Sequence, residues 1–358
     1  MRAHRHGRMD RAERDRIAGD AVIELLRLQQ TLGCDIVTDG ELRRDNFYSF
    51  VADKLSGVRL MTLAEMLDVV EDKAGFEQLL QTLDVPAYSI SSPICINRIA
   101  RREPLAVGDL AFARRHTALP IKVTLPGPYL LTRAMFVPEL TRAYYADKEA
   151  LGRDVVALLR QELIDLHAAG ADFVQFDEPV LTEVAFAPGR TRTFMCAALS
   201  ARRDPAEELE FAVSLINEVV AGIEGLRIGL HICRGNWSRD EHTLLRGGYQ
   251  PLAPYLERLG VTQLVLEYAT ERAGAVAGFA GKELGLGVVN PRTEDVETPA
   301  QIRRTVEKAL ELYPPERVFL NPDCGFGTFS SRPMNTPEVA SAKIAAMVAA
   351  ARELRGRT

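Results

Sequence analysis

Short apolar runs alternate along the chain with longer segments whose apolar residues recur at helical spacing. Each run is almost continuously apolar and ends in polar, glycine or proline residues, as is typical of strands buried on both faces of a parallel sheet. Seven such strands are predicted, at 34–41, 120–128, 172–179, 227–235, 263–268, 285–291 and 317–327. The repeated strand–helix order indicates parallel βα units joined by right-handed crossovers.

The segments between these strands carry signals for where helices begin and end. Residues 146–168 have apolar positions at helical spacing, and Gly170 follows as the predicted stop. Residues 298–301 read Thr-Pro-Ala-Gln, which is a capping box with proline at the first helical position. The same Thr-Pro start recurs at 336–337. Helices are therefore predicted between the strands.

One stretch breaks the alternation, between the first two strands. We expect an insertion over about residues 52–110, and within it the alternating segment 86–105, centred on Ser-Ser-Pro, predicts a β-hairpin. Seven parallel strands are one fewer than a closed (β/α)8 barrel needs. We therefore predict a single α/β domain over residues 1–358, a TIM barrel whose first strand is missing, with a β-hairpin and helical insertion after the first visible strand. A missing strand is expected before residue 1, since the chain opens on a helix. An open sheet is the alternative.

Composition limits the class of function. Apolar residues make up 47% of the 358 residues and the net charge is −5, so neither nucleic acid nor an anionic membrane is an expected partner. No run approaches the ~18 apolar residues of a membrane span, and no signal-peptide pattern opens the chain. Five scattered cysteines do not make a disulfide framework. We predict a cytoplasmic protein.

Polar side chains gather where the predicted strands end. In α/β barrels the carboxyl ends of the strands meet at one rim, and catalytic groups lie there. The residues at these ends are Asp39, Glu41, Asp177, Glu178, His231, Cys233, Glu267, Asn290, Asp323 and Cys324. We expect them to converge although they are far apart in sequence.

A metal site is the first hypothesis for this rim. His231 and Cys233 lie two residues apart, so their side chains point to the same side of an extended segment. Cys324 and Glu267 come from other strand ends and could complete the shell. Thiolate, imidazole and carboxylate are the ligands of Zn²⁺, which takes four and keeps one replaceable when catalytic. The sequence therefore predicts a zinc centre.

Structural roles are the alternative for several of these residue types. A cysteine near a strand end commonly acts as a small buried apolar side chain, and Asp177 could equally be a helix cap. The residues assigned to structural or surface roles are Cys34, Cys95, Cys196, His116, His167 and His242. A nucleophilic Cys–His pair is the chemical alternative, but it leaves the second rim cysteine unexplained. The glycine patterns of nucleotide sites are absent from the sequence.

Six segments together resemble the catalytic half of the cobalamin-independent methionine synthases, and more closely their short single-domain relatives. These segments are DIVTDGELRRDNF, LPGPYLL, FVQFDEPVLTE, LHICRGNW, VLEYATER and NPDCGFGTF. The similarity runs in order over about residues 18–350. It implies a (β/α)8 barrel that holds a zinc ion at its top.

The resemblance also implies roles for individual residues. The family's metal ligands fall on His231, Cys233, Glu267 and Cys324. The two carboxylates that hold the homocysteine amino group, and so take part in catalysis, fall on Glu41 and Asp177. The implied reaction is methyl transfer to the thiol of homocysteine, from methyltetrahydrofolate or a methylcorrinoid. A related thiol alkyltransferase of the epoxyalkane–coenzyme M type is the alternative enzyme, and a non-catalytic zinc barrel or a porphyrinogen decarboxylase is the alternative from another class.

The chain departs from the family pattern at several positions. The family's first strand, which contains Gly-Ser and helps to bind the amino acid, has no counterpart here, nor does the large N-terminal half that helps to bind folate. The family's pterin-stacking tryptophan aligns near Ala134, and Tyr129 or Trp237 is the candidate replacement. The family's proton-donating histidine has no match near Asn290. These departures put the identity of the methyl donor in question.

Overall fold

The computed structural model describes residues 9–69, 73, 91–186, 204–236, 238–327 and 334–356. Its strands are β1 Leu55–Thr62, β2 Ser91–Arg101, β3 Lys122–Pro126, β4 Phe173–Asp177, β5 Arg227–Ile232, β6 Gln263–Leu266, β7 Glu283–Val289 and β8 Val318–Pro322. Its α-helices are α1 Arg11–Leu32, α2 Val51–Lys54, α3 Leu63–Leu67, α4 Val107–Arg114, α5 Pro128–Met135, α6 Pro138–Thr141, α7 Lys148–Ala168, α8 Val180–Phe186, α9 Pro205–Val220, α10 Ala253–Leu256, α11 Pro299–Leu310 and α12 Pro337–Leu354. Short 3₁₀ turns lie at Glu241–Thr243, Gln250–Leu252, Glu271–Ala273 and Pro315–Arg317.

Strands β3 to β8 form one parallel sheet in chain order. Leucine, valine and isoleucine dominate these strands, and β4 and β6 are buried along their whole length. Helices separate consecutive strands along most of the sheet, as parallel pairing requires. The predicted α/β barrel fold is confirmed, and the carboxyl ends of all these strands face the same rim.

The first predicted strand, 34–41, is much shorter than expected. Only Val37 pairs, in a single parallel bridge with Ile121 beside β3. Gly40 and Glu41 adopt positive φ angles of 64° and 56°, which ends the extended conformation before a ladder can form. The prediction of a full strand over 34–41 is therefore wrong in extent, although its place in the sheet is correct.

The outer edge of β8 has no paired strand in the part of the chain that the structure describes. All five residues of β8 are only half-buried, whereas β4 and β6 are fully buried. This gap lies between β8 and the segment around Val37. Among the described residues, the topology is that of an α/β barrel with no strand paired in this gap.

The insertion forms a hairpin, but not the predicted one. The segment 86–105 was expected to supply both strands, whereas residues 91–101 make up the single strand β2, which pairs antiparallel with β1. Residues 86–90 lie outside the described residues. The Ser-Ser-Pro sequence does not turn the chain: it lies inside β2, where Pro93 pairs with Leu60. Proline is tolerated there because each strand of a two-stranded ribbon is an edge strand.

Side-chain contacts fasten this hairpin to the outer helices of the barrel. Arg101 at the end of β2 lies 2.6 Å from the carboxylate of Asp165 on α7. Glu162, fully buried on the same helix, accepts hydrogen bonds of 2.7 Å from the backbone N–H groups of Leu105 and Ala106. The insertion is thus anchored on the barrel by charged and backbone contacts.

The predicted helix signals are confirmed. Asp147 caps α7 and Gly170 follows that helix with a φ of 79°. Thr298 and Gln301 form the predicted capping box of α11, and Thr336 caps α12. Among the described helices, none combines the length and the apolar character required to cross a membrane.

Candidate active site and metal centre

A cavity of about 1610 Å³ opens over the rim of the barrel and continues into the gap beside β8. Its walls include residues from β3, β4, β5, β6 and β8 and from the segment 25–48. The predicted site residues that line it are Glu41, Asp177, His231, Cys233 and Cys324. Tertiary folding therefore brings these residues together as the strand-end argument expected.

His231, Cys233 and Cys324 form a compact cluster of metal-binding side chains. One potential ligand atom from each lies within 4.8 Å of the other two. His231 belongs to β5, Cys233 follows it by two residues, and Cys324 follows the end of β8. The imidazole Nδ1 lies 3.2 Å from the carbonyl oxygen of Val265. If Nδ1 donates there, the Nε2 lone pair is free to bind a metal.

The electrostatics of this cluster favour a thiolate. A hydrogen bond from Cys324 and the neighbouring His231 hold the pKa of Cys233 well below its usual value, although burial opposes them. Burial alone would lower the pKa of His231, but its hydrogen bond to Cys233 and the negative charges around it raise that pKa to about 9. The pKa of Cys324 is raised, first by its hydrogen bond to Cys233 and then by burial. These shifts favour the ionised form of the Cys233 sulfur, which is the form that binds a metal.

Glu267 lies outside this three-residue cluster and does not line the cavity. It follows β6 directly and is 1% exposed. Its Oε2 lies 3.4 Å from the guanidinium groups of both Arg234 and Arg272, while its Oε1 lies 3.7 Å from Arg292. Oε1 has no hydrogen-bond partner. Burial and the charge of Asp323 raise the pKa of this carboxyl to about 7. Glu267 as the fourth ligand stays a prediction.

Two other acidic residues of the rim accept hydrogen bonds from backbone N–H groups. Asp323, fully buried, accepts hydrogen bonds of 2.9 Å from the N–H groups of Tyr268 and Ala269. Glu178, also fully buried, accepts bonds of 2.7 and 2.9 Å from Tyr129 and Leu130 at the start of α5. These carboxylates satisfy N–H groups that would otherwise lack partners. These two acidic residues therefore stabilise the loops and the helix start at the rim.

Glu41 and Asp177 face the cavity as a pair of carboxylates. The hydroxyl of Thr124 donates to Oε1 of Glu41 at 2.8 Å, and Oε2 lies 4.0 Å from the Arg44 guanidinium. Oδ1 of Asp177 accepts from Nε2 of Gln175 at 2.8 Å. Burial raises the pKa of both carboxyls, and the charge of Asp177 raises the pKa of Glu41 further. A cation that binds between them would be stabilised by both.

Four residues that support the carboxylates were not identified from the sequence: Lys122, Thr124, Gln175 and Arg44. The sequence contains a signal for three of these residues, which is their alternation with other polar residues along a strand. Lys122 and Thr124 alternate along β3, as Gln175 and Asp177 do along β4, so each pair points to one side of its strand. Polar residues at alternate positions of buried strands indicate a polar barrel interior. Arg44 had no comparable signal.

The proposed aromatic replacement is wrong for Tyr129. That side chain is fully buried between helices, and its hydroxyl donates to Glu208 at 2.6 Å. Trp237 and Cys196 lie outside the described residues.

Asn290 is the position near which the family's proton-donating histidine has no match. It follows the end of β7, and its side-chain amide donates a hydrogen bond of 2.8 Å to Glu241.

Those residues assigned to structural or surface roles that the structure describes lie outside the metal cluster. Cys95 is fully buried and Cys34 is half-buried on the cavity wall. Among the described residues, the histidines outside the cluster are His116, His167 and His242, and all three are exposed.

A family model and the sequences of related proteins indicate the same family. The family model described as "Cobalamin-independent synthase, Catalytic domain" matches residues 1–353. A methionine synthase of Saccharolobus solfataricus is 28% identical over 361 residues, which cover 99% of this chain and 90% of that protein. A methionine synthase of Pyrococcus furiosus is 29% identical over 343 residues, which cover 94% and 82% of the two chains.

A solved structure supports the fold. The B12-independent methionine synthase from Shewanella sp. W3-18-1, in complex with selenomethionine, superposes with a TM-score of 0.70. The match has 22% identity and covers 98% of this chain and 91% of that one. Since the family model spans nearly the whole sequence, the chain belongs to the cobalamin-independent methionine synthase family.

Proposed function

We propose that the chain transfers a methyl group to the thiol of homocysteine and so produces methionine, with a zinc ion held by His231, Cys233 and Cys324. Membership of the family makes the chain a methyltransferase. The observation that carries the proposal is one cavity lined both by the cluster of metal donors and by the Glu41–Asp177 carboxylate pair. The first set suits a thiol sulfur and the second suits an amino group.

The donor set fits zinc. Two sulfurs and one imidazole lie within 4.8 Å of one another, which is the ligand chemistry of a catalytic zinc site. The buried Oε1 of Glu267 has no hydrogen-bond partner and is the candidate for the fourth ligand. When bound there, zinc supplies a thiolate at neutral pH, because it lowers the pKa of a coordinating thiol.

The chain's own residues bind and orient the amino acid. The ammonium group of homocysteine pairs with Glu41 and Asp177, whose burial strengthens the charged contact. The homocysteine sulfur is then directed at the methyl carbon of the donor. The new S–C bond forms as the donor–methyl bond breaks and its electron pair stays on the donor. Arg44 and Thr124 hold Glu41 in place for this step.

The carboxylate pair also distinguishes the alternative acceptors. Coenzyme M carries a sulfonate, which two buried carboxylates would repel, so an epoxyalkane–coenzyme M type reaction is disfavoured. A porphyrinogen decarboxylase needs no His-Cys-Cys cluster, and metal analysis separates it from the present proposal. Both remain outcomes of the experiment below.

The methyl donor is proposed to be a methylcorrinoid or another small donor, with methyltetrahydrofolate used poorly. Ala134, aligned near the family's stacking tryptophan, is 4% exposed, and the buried Tyr129 cannot replace that tryptophan. Loss of one aromatic stacking contact removes about 0.5–1.5 kcal/mol beyond area burial. Trp237 lies outside the described residues.

We further propose that residues 1–358 act as one domain in the cytoplasm, without nucleic-acid or membrane partners. The contacts of Arg101 and Glu162 that anchor the insertion support a single unit. The net charge of −5 gives no basis for binding nucleic acid or anionic lipid.

The test is homocysteine methylation by purified, zinc-loaded protein. Methylcobalamin and the monoglutamyl and polyglutamyl forms of methyltetrahydrofolate are compared as donors, with coenzyme M as the alternative acceptor. Formation of methionine from homocysteine supports the function. Turnover of coenzyme M alone, or no metal after purification with no methyl transfer on zinc addition, overturns it. Efficient use of the folates with none of methylcobalamin overturns the donor assignment only.

A further inference from the structure

A chain of two hydrogen bonds connects a lysine deep in the barrel to the substrate side of the cavity. Nζ of Lys122 donates to Oε1 of Gln175 at 3.0 Å, and Nε2 of Gln175 donates to Oδ1 of Asp177 at 2.8 Å. All three residues line the same cavity. None of them is among the metal donors of the cluster.

The orientation of the Gln175 amide follows from the chemistry of the lysine. An ammonium group has donors and no acceptor, so the amide atom that it contacts must be the oxygen. The amide nitrogen then faces Asp177, and the carboxylate receives a donor. Gln175 is 6% exposed, so water has little access to compete for either atom.

The lysine is also the charge that partly balances two buried carboxylates. Burial lowers the pKa of Lys122, and the negative charges of Asp177 and Glu41 oppose that shift. Arg44 lies 4.0 Å from the Glu41 carboxylate, whereas Lys122 reaches Asp177 through Gln175. The ammonium group of the substrate would give Asp177 a direct charged partner.

We propose that Lys122 is a positioning residue for amino-acid recognition: through Gln175 it fixes the orientation of Asp177, so that Oδ2 of that carboxylate is presented to the ammonium group of the substrate. This inference rests on the proposed function, because it deepens the role of the Glu41–Asp177 pair. Lys122 itself acts through Gln175 and does not contact the thiol or the methyl donor.

The experiment measures binding of two thiols to zinc-loaded protein by calorimetry. Homocysteine is compared with 4-mercaptobutyrate, which has the same chain and carboxylate but no ammonium group. Lys122→Met is expected to weaken homocysteine binding about tenfold, because Asp177 loses its fixed orientation, and to leave the affinity for 4-mercaptobutyrate within about twofold. Lys122→Arg, which keeps the charge and the donors, is expected to restore most of the homocysteine affinity.

The relay through Gln175 is tested by a double-mutant cycle. Gln175→Leu alone should weaken homocysteine binding, and Lys122→Met added to it should cost little more, because the two residues act in series. Lys282→Met is the matched control. Lys282 is a half-buried lysine before β7 that donates to the carbonyl oxygens of Leu259 and Val261, away from the cavity wall. Lys282→Met should leave the ratio of the affinities for homocysteine and 4-mercaptobutyrate unchanged.

The outcomes separate the inference from the function on which it rests. If wild-type protein binds no homocysteine, the proposed function fails. If wild-type protein binds homocysteine and Lys122→Met weakens both thiols equally, or neither, the lysine has no role in amino-acid recognition. If the losses of homocysteine affinity in the two single variants add up in the double variant, Lys122 does not act through Gln175.

Discussion

Thr124 on β3 donates a 2.8 Å hydrogen bond to Oε1 of Glu41, which lies outside any regular strand. Glu41 is the only non-glycine residue in the described part of the chain with a positive φ, at 56°. This conformation is unfavourable for a residue with a Cβ and persists where surrounding contacts impose it, commonly at functional sites. The strand therefore holds a strained loop carboxylate against the cavity.

Thr124→Val is expected to weaken homocysteine binding without loss of metal. The hydrogen bond to a charged carboxylate contributes about 1.5–3 kcal/mol, so the KM for homocysteine should rise by at least tenfold. KM and bound zinc are measured together. Thr117→Val is the control, since its hydroxyl contacts Gln30 and Leu119 away from the cavity. An unchanged KM in Thr124→Val would show that the backbone alone holds Glu41.

Metal binding should depend on the three clustered residues. His231→Ala and Cys324→Ser are expected to lose most of the zinc, because each removes one donor of the set. A chelator should abolish activity of the wild-type protein, and added zinc should restore it. Zinc per chain is measured by elemental analysis, with Cys95→Ser as a buried-cysteine control that keeps full occupancy. Full occupancy in His231→Ala would refute the ligand assignment.

Asp177→Asn should affect the substrate far more than the metal. A buried ammonium that loses its charged partner costs about 2–5 kcal/mol of binding free energy. Homocysteine affinity is measured by calorimetry and zinc content by elemental analysis. If the affinity changes less than about twofold, Asp177 is a structural residue and the carboxylate-pair assignment fails.

Glu178 should make the stability of the fold depend on pH. Burial raises its pKa to about 8 in the folded chain. Between about pH 4.3, its ordinary pKa, and pH 8 the folded state holds a proton that the unfolded state has lost, so this group's contribution to stability falls as the pH rises. Glu178→Gln removes this contribution. The free energy of unfolding is measured across pH 5–8 by urea denaturation, and parallel curves for the two proteins would contradict the expectation.

Gly127→Ala should destabilise the start of α5. A Cβ at this position would clash with the carboxylate of Glu178, whose two oxygens each accept one backbone hydrogen bond. The carboxylate would have to move and release them, at a cost of about 1–3 kcal/mol. Gly108→Ala is the control, because a Cβ there meets nothing within 4 Å. Equal midpoints of urea unfolding for the two variants would show that Glu178 adapts without loss.

Local patterns in the sequence were sufficient to predict much of the fold. The apolar runs of β3 to β8 and the Thr-Pro starts of α11 and α12 depend on neighbours within a few residues, so they could be recognised directly. The H-x-C spacing of His231 and Cys233 is a local signal of the same kind. The predicted hairpin at 86–105 failed because strand β2 finds its partner at β1, well upstream, and pairing at that range leaves no local pattern.

The composition of the site depended on contacts between distant segments. That His231, Cys233 and Cys324 approach within 4.8 Å, while Glu267 sits among three arginines, follows from the packing of the strand ends. The roles of Lys122 and Gln175 likewise arise only when β3 and β4 lie side by side. The sequence by itself determined which residues reach the rim, because strand ends and side-chain alternation are properties of short segments. Only the tertiary structure decided which of them face the cavity and which bind backbone, because burial and hydrogen bonding are set by partners from other parts of the chain.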